Sequence, residues 1–115
     1  MKVLFLDDRG ERLDIAVVRY KEHGPFLVRT AAEAIAMLEN VQWDLVCLDH
    51  DLGGESFVDS DREDCGMEVV RWIESHLPVI GKIIIHSSNP EASYQMFWRL
   101  RAAGYSVVRE RFSYE

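Results

Sequence analysis

Apolar residues along this chain fall into short unbroken runs, separated by stretches where they return every third or fourth position. The runs are Lys2–Leu6, Phe26–Val28, Asp44–Leu48, Lys82–Ile85 and Tyr105–Val108. Because they do not alternate with polar residues, they predict strands covered on both faces. The stretches between them predict helices. Leu13, Val17 and Tyr20 share one helical face, which His23-Gly24-Pro25 interrupts. Thr30 followed by Glu33 is a capping box, with Ala34, Ile35 and Leu38 forming the apolar face behind it. Met67, Val70 and Ile73 form a third face that closes before Pro78, and Ser88-Asn89-Pro90 opens a fourth helix that Gly104 ends. Strand alternating with helix predicts an α/β fold: one doubly wound, five-stranded parallel sheet with right-handed crossovers. A chain of 115 residues suits a single domain over 1–115, and no linker or repeat divides it.

Composition adds constraints on partners. Thirteen Lys and Arg against twenty Asp and Glu give a net charge of -7, which disfavours unspecific attraction to nucleic acid or an anionic membrane. The charge is uneven, with acids collected between Asp49 and Glu74 and a basic C-terminal end made by Arg99, Arg101, Arg109 and Arg111. The opening apolar run is too short for a signal or membrane segment, so a cytoplasmic protein is expected. Cys47 and Cys65 show no C-x-x-C spacing and imply no disulfide framework; Cys47, inside an apolar run, reads as core. Trp72, Phe97 and Trp98 fall at helical positions and read mainly as core, although an aromatic at a rim could stack on a base.

In a parallel sheet every strand ends on the same rim, where ligands bind near the reversal of strand order. Along that rim the sequence sets Asp7 and Asp8 after the first strand, and Asp49, His50 and Asp51 after the third. His86, Ser87 and Ser88 follow the fourth strand, and Arg109 stands at the fifth. Adjacent first and third strands would lie about 4.8 Å apart, crowding Asp7, Asp8 and Asp49 beyond what three bare carboxylates tolerate. A divalent cation relieves such repulsion, and clustered oxygens suit Mg²⁺ or Mn²⁺, which reach phosphate oxygens as Lewis acids. His50 or His86 would then move a proton near neutral pH, with Ser87 and Arg109 holding phosphate oxygens. The loop from Leu52 to Asp64 is long and polar, which favours a functional segment. It is no EF-hand, because Asp64 stands where that loop requires glycine. Asp49 and Asp51 imitate the D-x-D of haloacid-dehalogenase-type phosphatases, but that motif follows a first strand, a place Asp7-Asp8 holds here.

On these residues the chain resembles a receiver domain, the phospho-acceptor module of two-component signalling, along essentially its whole length. The resemblance implies strand order 2-1-3-4-5, Asp7 and Asp8 as a metal-binding pair, Asp49 as the phosphorylated aspartate, Ser87 as the strand-four hydroxyl and Gly66 as the loop glycine. Receivers carry lysine where only Arg109, or less closely Arg111, stands here, an apolar residue at His86, and a shorter loop after Asp49. The combination of L-D-D-R, L-D-H-D-L-G, I-H-S-S-N-P and G-Y-S-V-V-R is similar to the cyclic-phosphate processing receiver domains of bacteria and phages, proposed to act on RNA ends. That resemblance implies a catalytic set of Asp49, His50 and His86, and an RNA end or phosphorylated small molecule as partner. The alternative is a signalling receiver whose Asp49 is phosphorylated by a histidine kinase.

Overall fold

A computed structural model describes residues 1–110; Arg111 lies outside the described residues. The elements run β1 (Val3–Leu6), α1 (Gly10–Arg19), a 3-10 turn (Lys21–His23), β2 (Phe26–Val28), α2 (Ala31–Asn40) and β3 (Trp43–Leu48). They continue with α3 (Gly66–His76), β4 (Ile80–Ile85), α4 (Pro90–Ala102) and β5 (Val107–Arg109). The five strands form one sheet in the order β2-β1-β3-β4-β5, every pairing parallel. This is the expected doubly wound α/β architecture, in which a strand order that reverses beside β1 and β3 leaves a crevice at their C-terminal ends.

The local signals act as their chemistry dictates. At the start of α2 the Thr30 hydroxyl accepts from the Glu33 amide at 3.1 Å while the Glu33 carboxylate accepts from the Thr30 amide at 3.1 Å, satisfying two otherwise orphaned donors. Asn89 caps α4 by accepting from the Ala92 amide at 3.2 Å. β3 and β4 begin earlier than the apolar runs, at Trp43 and Ile80, and β5 is only three residues long.

Coverage of the two faces is unequal, which corrects the expectation from unbroken apolar runs. One face packs against α2, α3 and α4 through Ala34, Leu38, Met67, Val70, Ile73, Met96 and Leu100. The other meets Leu13 and Ala16 of α1, over Val3, Phe5, Leu45 and Cys47. Lys82 is exposed and Ile84 only half-buried on that thinner side, while β2, at the sheet edge, exposes Phe26 and Leu27. Val17 and Trp98, read as inward-facing from their spacing, are 45% and 52% exposed; the inward stripe of α1 is Arg12, Leu13 and Ala16 instead. Among the described residues no helix is long and apolar enough to cross a membrane.

Candidate functional site

The sheet register builds the site. Leu6 lies opposite Leu48, and Leu48 opposite Ile85, so the next residue on each strand, Asp7, Asp49 and His86, arrives at the same height. The ladder continues through the rim, with the Asp49 amide donating to Leu6 at 3.2 Å and the His86 amide to Leu48 at 3.0 Å. Helix α3 seals the arrangement from behind. A Cβ on Gly66 would stand 1.9 Å from the Asp49 carbonyl oxygen, and the Gly66 amide donates to His50 at 2.8 Å. Only glycine permits that approach.

Asp7, Asp8 and Asp49 each offer an oxygen, and these atoms all lie within 4.8 Å of one another. Asp7 and Asp49 are buried, while Asp8 is half-buried and accepts from the Gly54 amide at 2.6 Å. A fourth charge enters from α1. The Arg12 Nη1 lies 3.3 Å from Asp7 Oδ2 and 3.8 Å from Asp49 Oδ2. Burial and the negative charge of Asp7 push the Asp49 carboxyl up to about 8, against the pull of Arg12 and of the His50 amide that it accepts from. Asp7 moves the other way: burial opposes its charge, but His86, the Arg9 amide and Arg12 together hold its carboxyl below the usual range. Two carboxylates this close, without a cation, share a proton, and Asp49 keeps it.

The two histidines serve different carboxylates. His86 lies stacked on Phe5, with ring centroids 4.6 Å apart, and its Nε2 sits 3.1 Å from Asp7 Oδ2. Burial, which outweighs the attraction of Asp7, pushes its pKa down. A neutral ring facing an ionised carboxylate must carry its proton on Nε2 and donate it. His50 pairs with Asp51 at 2.7 Å through Nδ1 and with the Ser60 hydroxyl at 2.9 Å through Nε2. Burial disfavours its charge, yet Cys65 and Asp51 overcome this and raise its pKa. Asp51 also accepts from the Phe57 and Val58 amides at 2.8 and 3.1 Å and from Asn89 at 3.3 Å. His50 and Asp51 therefore anchor the long loop, and Arg71 holds the same loop at the Ser60 and Arg62 carbonyls, at 2.6 and 2.8 Å.

Thus Asp7, Asp8, Asp49 and His86 come together, whereas His50 faces the loop. Asp8, Arg12, Asp49 and Ser88 line a pocket of about 120 Å³. Ser87 and Arg109 line a neighbouring cleft, where Arg109 Nε donates to the Ser93 hydroxyl at 3.0 Å and its guanidinium lies 4.9 Å from the Tyr94 ring centroid. Arg12 was not among the sequence candidates, since an arginine two residues into a helix ordinarily faces water. Its signal is positional: the stripe of Leu13 and Ala16, extended one position toward the helix start, reaches Arg12 and the rim.

Residues 2–102 match the cyclic-phosphate processing receiver domain family. No curated protein matches the chain. Among solved structures, the chain is similar to the response regulator TrrA of Thermotoga maritima, in complex with Mg²⁺-BeF, at 21% identity and a TM-score of 0.66, covering 99% of this chain and 90% of that one. It is similar to the receiver domain of the Francisella response regulator 1452 at 17% identity and a TM-score of 0.65, covering 97% and 85%. A CheY-like response regulator receiver domain protein from Methanospirillum hungatei matches at 19% identity and a TM-score of 0.63, covering 95% and 80%. At these identities the likeness establishes the fold.

Proposed function

The chain belongs to the cyclic-phosphate processing receiver domain family, and from that membership we propose that it is a metal-dependent phosphate-handling domain that opens cyclic phosphates at RNA ends. The observation that carries this reading is the convergence of Asp7, Asp8 and Asp49 within 4.8 Å, with the Asp49 carboxyl pushed up to about 8 by burial and by the charge of Asp7. Three clustered carboxylate oxygens at an open rim fit a hard cation of the Mg²⁺ or Mn²⁺ kind, which keeps positions for water and phosphate. Such an ion, when bound, lowers the pKa of water and polarises a phosphate oxygen.

The protein's own groups divide the remaining work. Asp49, which would give up its own proton to a bound cation, meets the reacting phosphate and takes a proton from water. The water oxygen bonds to phosphorus as the bond to the ribose 2′ or 3′ oxygen breaks, and the proton held by Asp49 passes to that oxygen, which leaves as a hydroxyl. Arg12, with several donors in a planar fork, faces the charge that builds on the non-bridging oxygens. His86 acts through Asp7, fixing its carboxylate by a hydrogen bond of the kind that orients metal ligands. His50 acts through Asp51, holding the loop whose Gly54 closes on Asp8. Ser87 and Arg109 approach from the adjoining cleft.

The test offers purified protein both acetyl phosphate and an RNA ending in a 2′,3′-cyclic phosphate, with Mg²⁺, Mn²⁺ or no metal. Metal-dependent ring opening that Asp49→Asn abolishes is the expected result. A stable mass gain on Asp49 from acetyl phosphate, with the cyclic RNA untouched, would replace this reading with a phospho-acceptor served by a histidine kinase.

A further inference from the structure

We propose that the cleft beside the acidic pocket is a nucleoside site, which seats the base of the terminal nucleotide while its phosphate lies at Asp49; the placement of the phosphate rests on the reading above. The cleft has a volume of about 430 Å³ and is lined by Ser87, Ser88, Ser93, Arg109 and Glu110 among others. Ser88 also lines the acidic pocket, so one ligand can span both.

The lining chemistry favours a neutral, hydrogen-bonding ligand over a second phosphate. Three of the cleft's lining residues are serines and its one cation among the described residues is Arg109, while Glu110, also in the lining, has its carboxylate 3.8 Å from Arg19. Arg109 is already committed to a polar contact with Ser93 and to the Tyr94 face, a geometry that presents a flat guanidinium. Tyr94 is 51% exposed and Trp98, edge-on to it with centroids 6.0 Å apart, is 52% exposed. Exposed aromatics beside an arginine plane are the elements on which bases stack. The serine hydroxyls supply donors and acceptors for ribose hydroxyls and exocyclic amines. A chain with net charge -7 gains little from long-range attraction to RNA, so local stacking is the means left to it for holding a nucleotide end.

The experiment measures binding, in Mg²⁺ and before turnover by rapid mixing, of three probes: adenosine 2′,3′-cyclic phosphate, inorganic phosphate and adenosine. The cyclic nucleotide should bind at least about tenfold more tightly than phosphate, as expected for one stacked base. Tyr94→Ala and Arg109→Ala should each weaken cyclic nucleotide binding by about tenfold; Tyr94→Ala, whose side chain takes no part in holding phosphate, should leave phosphate and Mg²⁺ affinity and the melting temperature unchanged. Equal binding of nucleotide and phosphate, or undiminished nucleotide binding in the double variant, would overturn the site. The two readings fail separately. Tight nucleotide binding that depends on Tyr94 and Arg109 but leads to no ring opening would sink the hydrolytic function and keep the nucleoside site; ring opening with undiminished binding in the double variant would do the reverse.

Discussion

Asp49 keeps its proton to about pH 8 in the metal-free protein, whereas its ordinary value is 3.8. Between those values the native state binds a proton that the unfolded chain has released, so stability falls as pH rises. Asp7, held below its ordinary value, contributes with the opposite sign only as pH falls below that range; His86, kept neutral by burial, offsets part of the slope below its ordinary 6.5, and His50, with its pKa raised, adds to it above. In chelator, the wild type should therefore melt at a lower temperature at about pH 8 than at about pH 5. Asp49→Asn should lose this slope and melt higher than wild type at about pH 8. Adding Mg²⁺ at that pH should raise the wild-type melting temperature and leave Asp8→Asn, which lacks one oxygen donor, nearly unmoved. Calorimetric scans across pH check all three; a flat wild-type profile in chelator would contradict the Asp49 proton. His86 allows a sharper distinction. Glutamine can still donate to Asp7, so if the imidazole serves by fixing that carboxylate, His86→Gln should retain ring opening within about fivefold. His86→Leu should lose at least about thirtyfold along with Mg²⁺ affinity. A Gln variant as inactive as the Leu variant, with Mg²⁺ affinity intact, would make proton transfer by the ring the function of His86.

Among the elements, the junction of β3 with α3 controls the site most tightly. Gly66→Ala would drive a methyl group into the Asp49 carbonyl, 1.9 Å away, and should cost at least about 2 kcal/mol while weakening Mg²⁺ binding. Gly53→Ala, at φ 77 with open space around it, should cost only about 1 to 2 kcal/mol, from backbone strain. Denaturant titration ranks the two, and equal costs would argue against the close approach. The strand ends were legible in the sequence because a parallel sheet sends every apolar run into the same rim, and Asp7, Asp8 and Asp49 could be grouped once the first and third strands were set side by side. His50 was grouped with them by its place after the third strand and by the family resemblance; successive side chains at a strand end turn opposite ways, and with Asp49 facing the carboxylates His50 meets Asp51 and Ser60 of the loop. The loop itself carried no readable partner, since its anchors on Asp51 are backbone amides of Phe57 and Val58, which composition does not mark.

At the scale of the whole molecule, the sheet separates two unequal cores. Ile83 is fully buried on the side of three helices, while Ile84 is half-buried on the side of one. Ile83→Ala should cost about 2 to 5 kcal/mol, and Ile84→Ala less than half as much, a ranking that unbroken apolar runs could not supply because they do not say how many helices cover each face. Equal losses on thermal melting would mean that both faces are covered alike. Helix α1 buries three residues, Arg12, Leu13 and Ala16, where α3 buries five. Its release should cost less than that of α3, visible as amide exchange in α1 at a lower free energy than in α3, β3 or β4. Arg12 leaves with it. A guanidinium departing from Asp7 and Asp49 leaves those carboxylates more avid for a cation, so by linkage Mg²⁺ alone, before a phosphate joins it to Arg12 as the proposed reaction needs, should speed exchange in α1 while slowing it in the central strands. Exchange that slows in α1 in step with the sheet would mean instead that Arg12 and the cation occupy the site together.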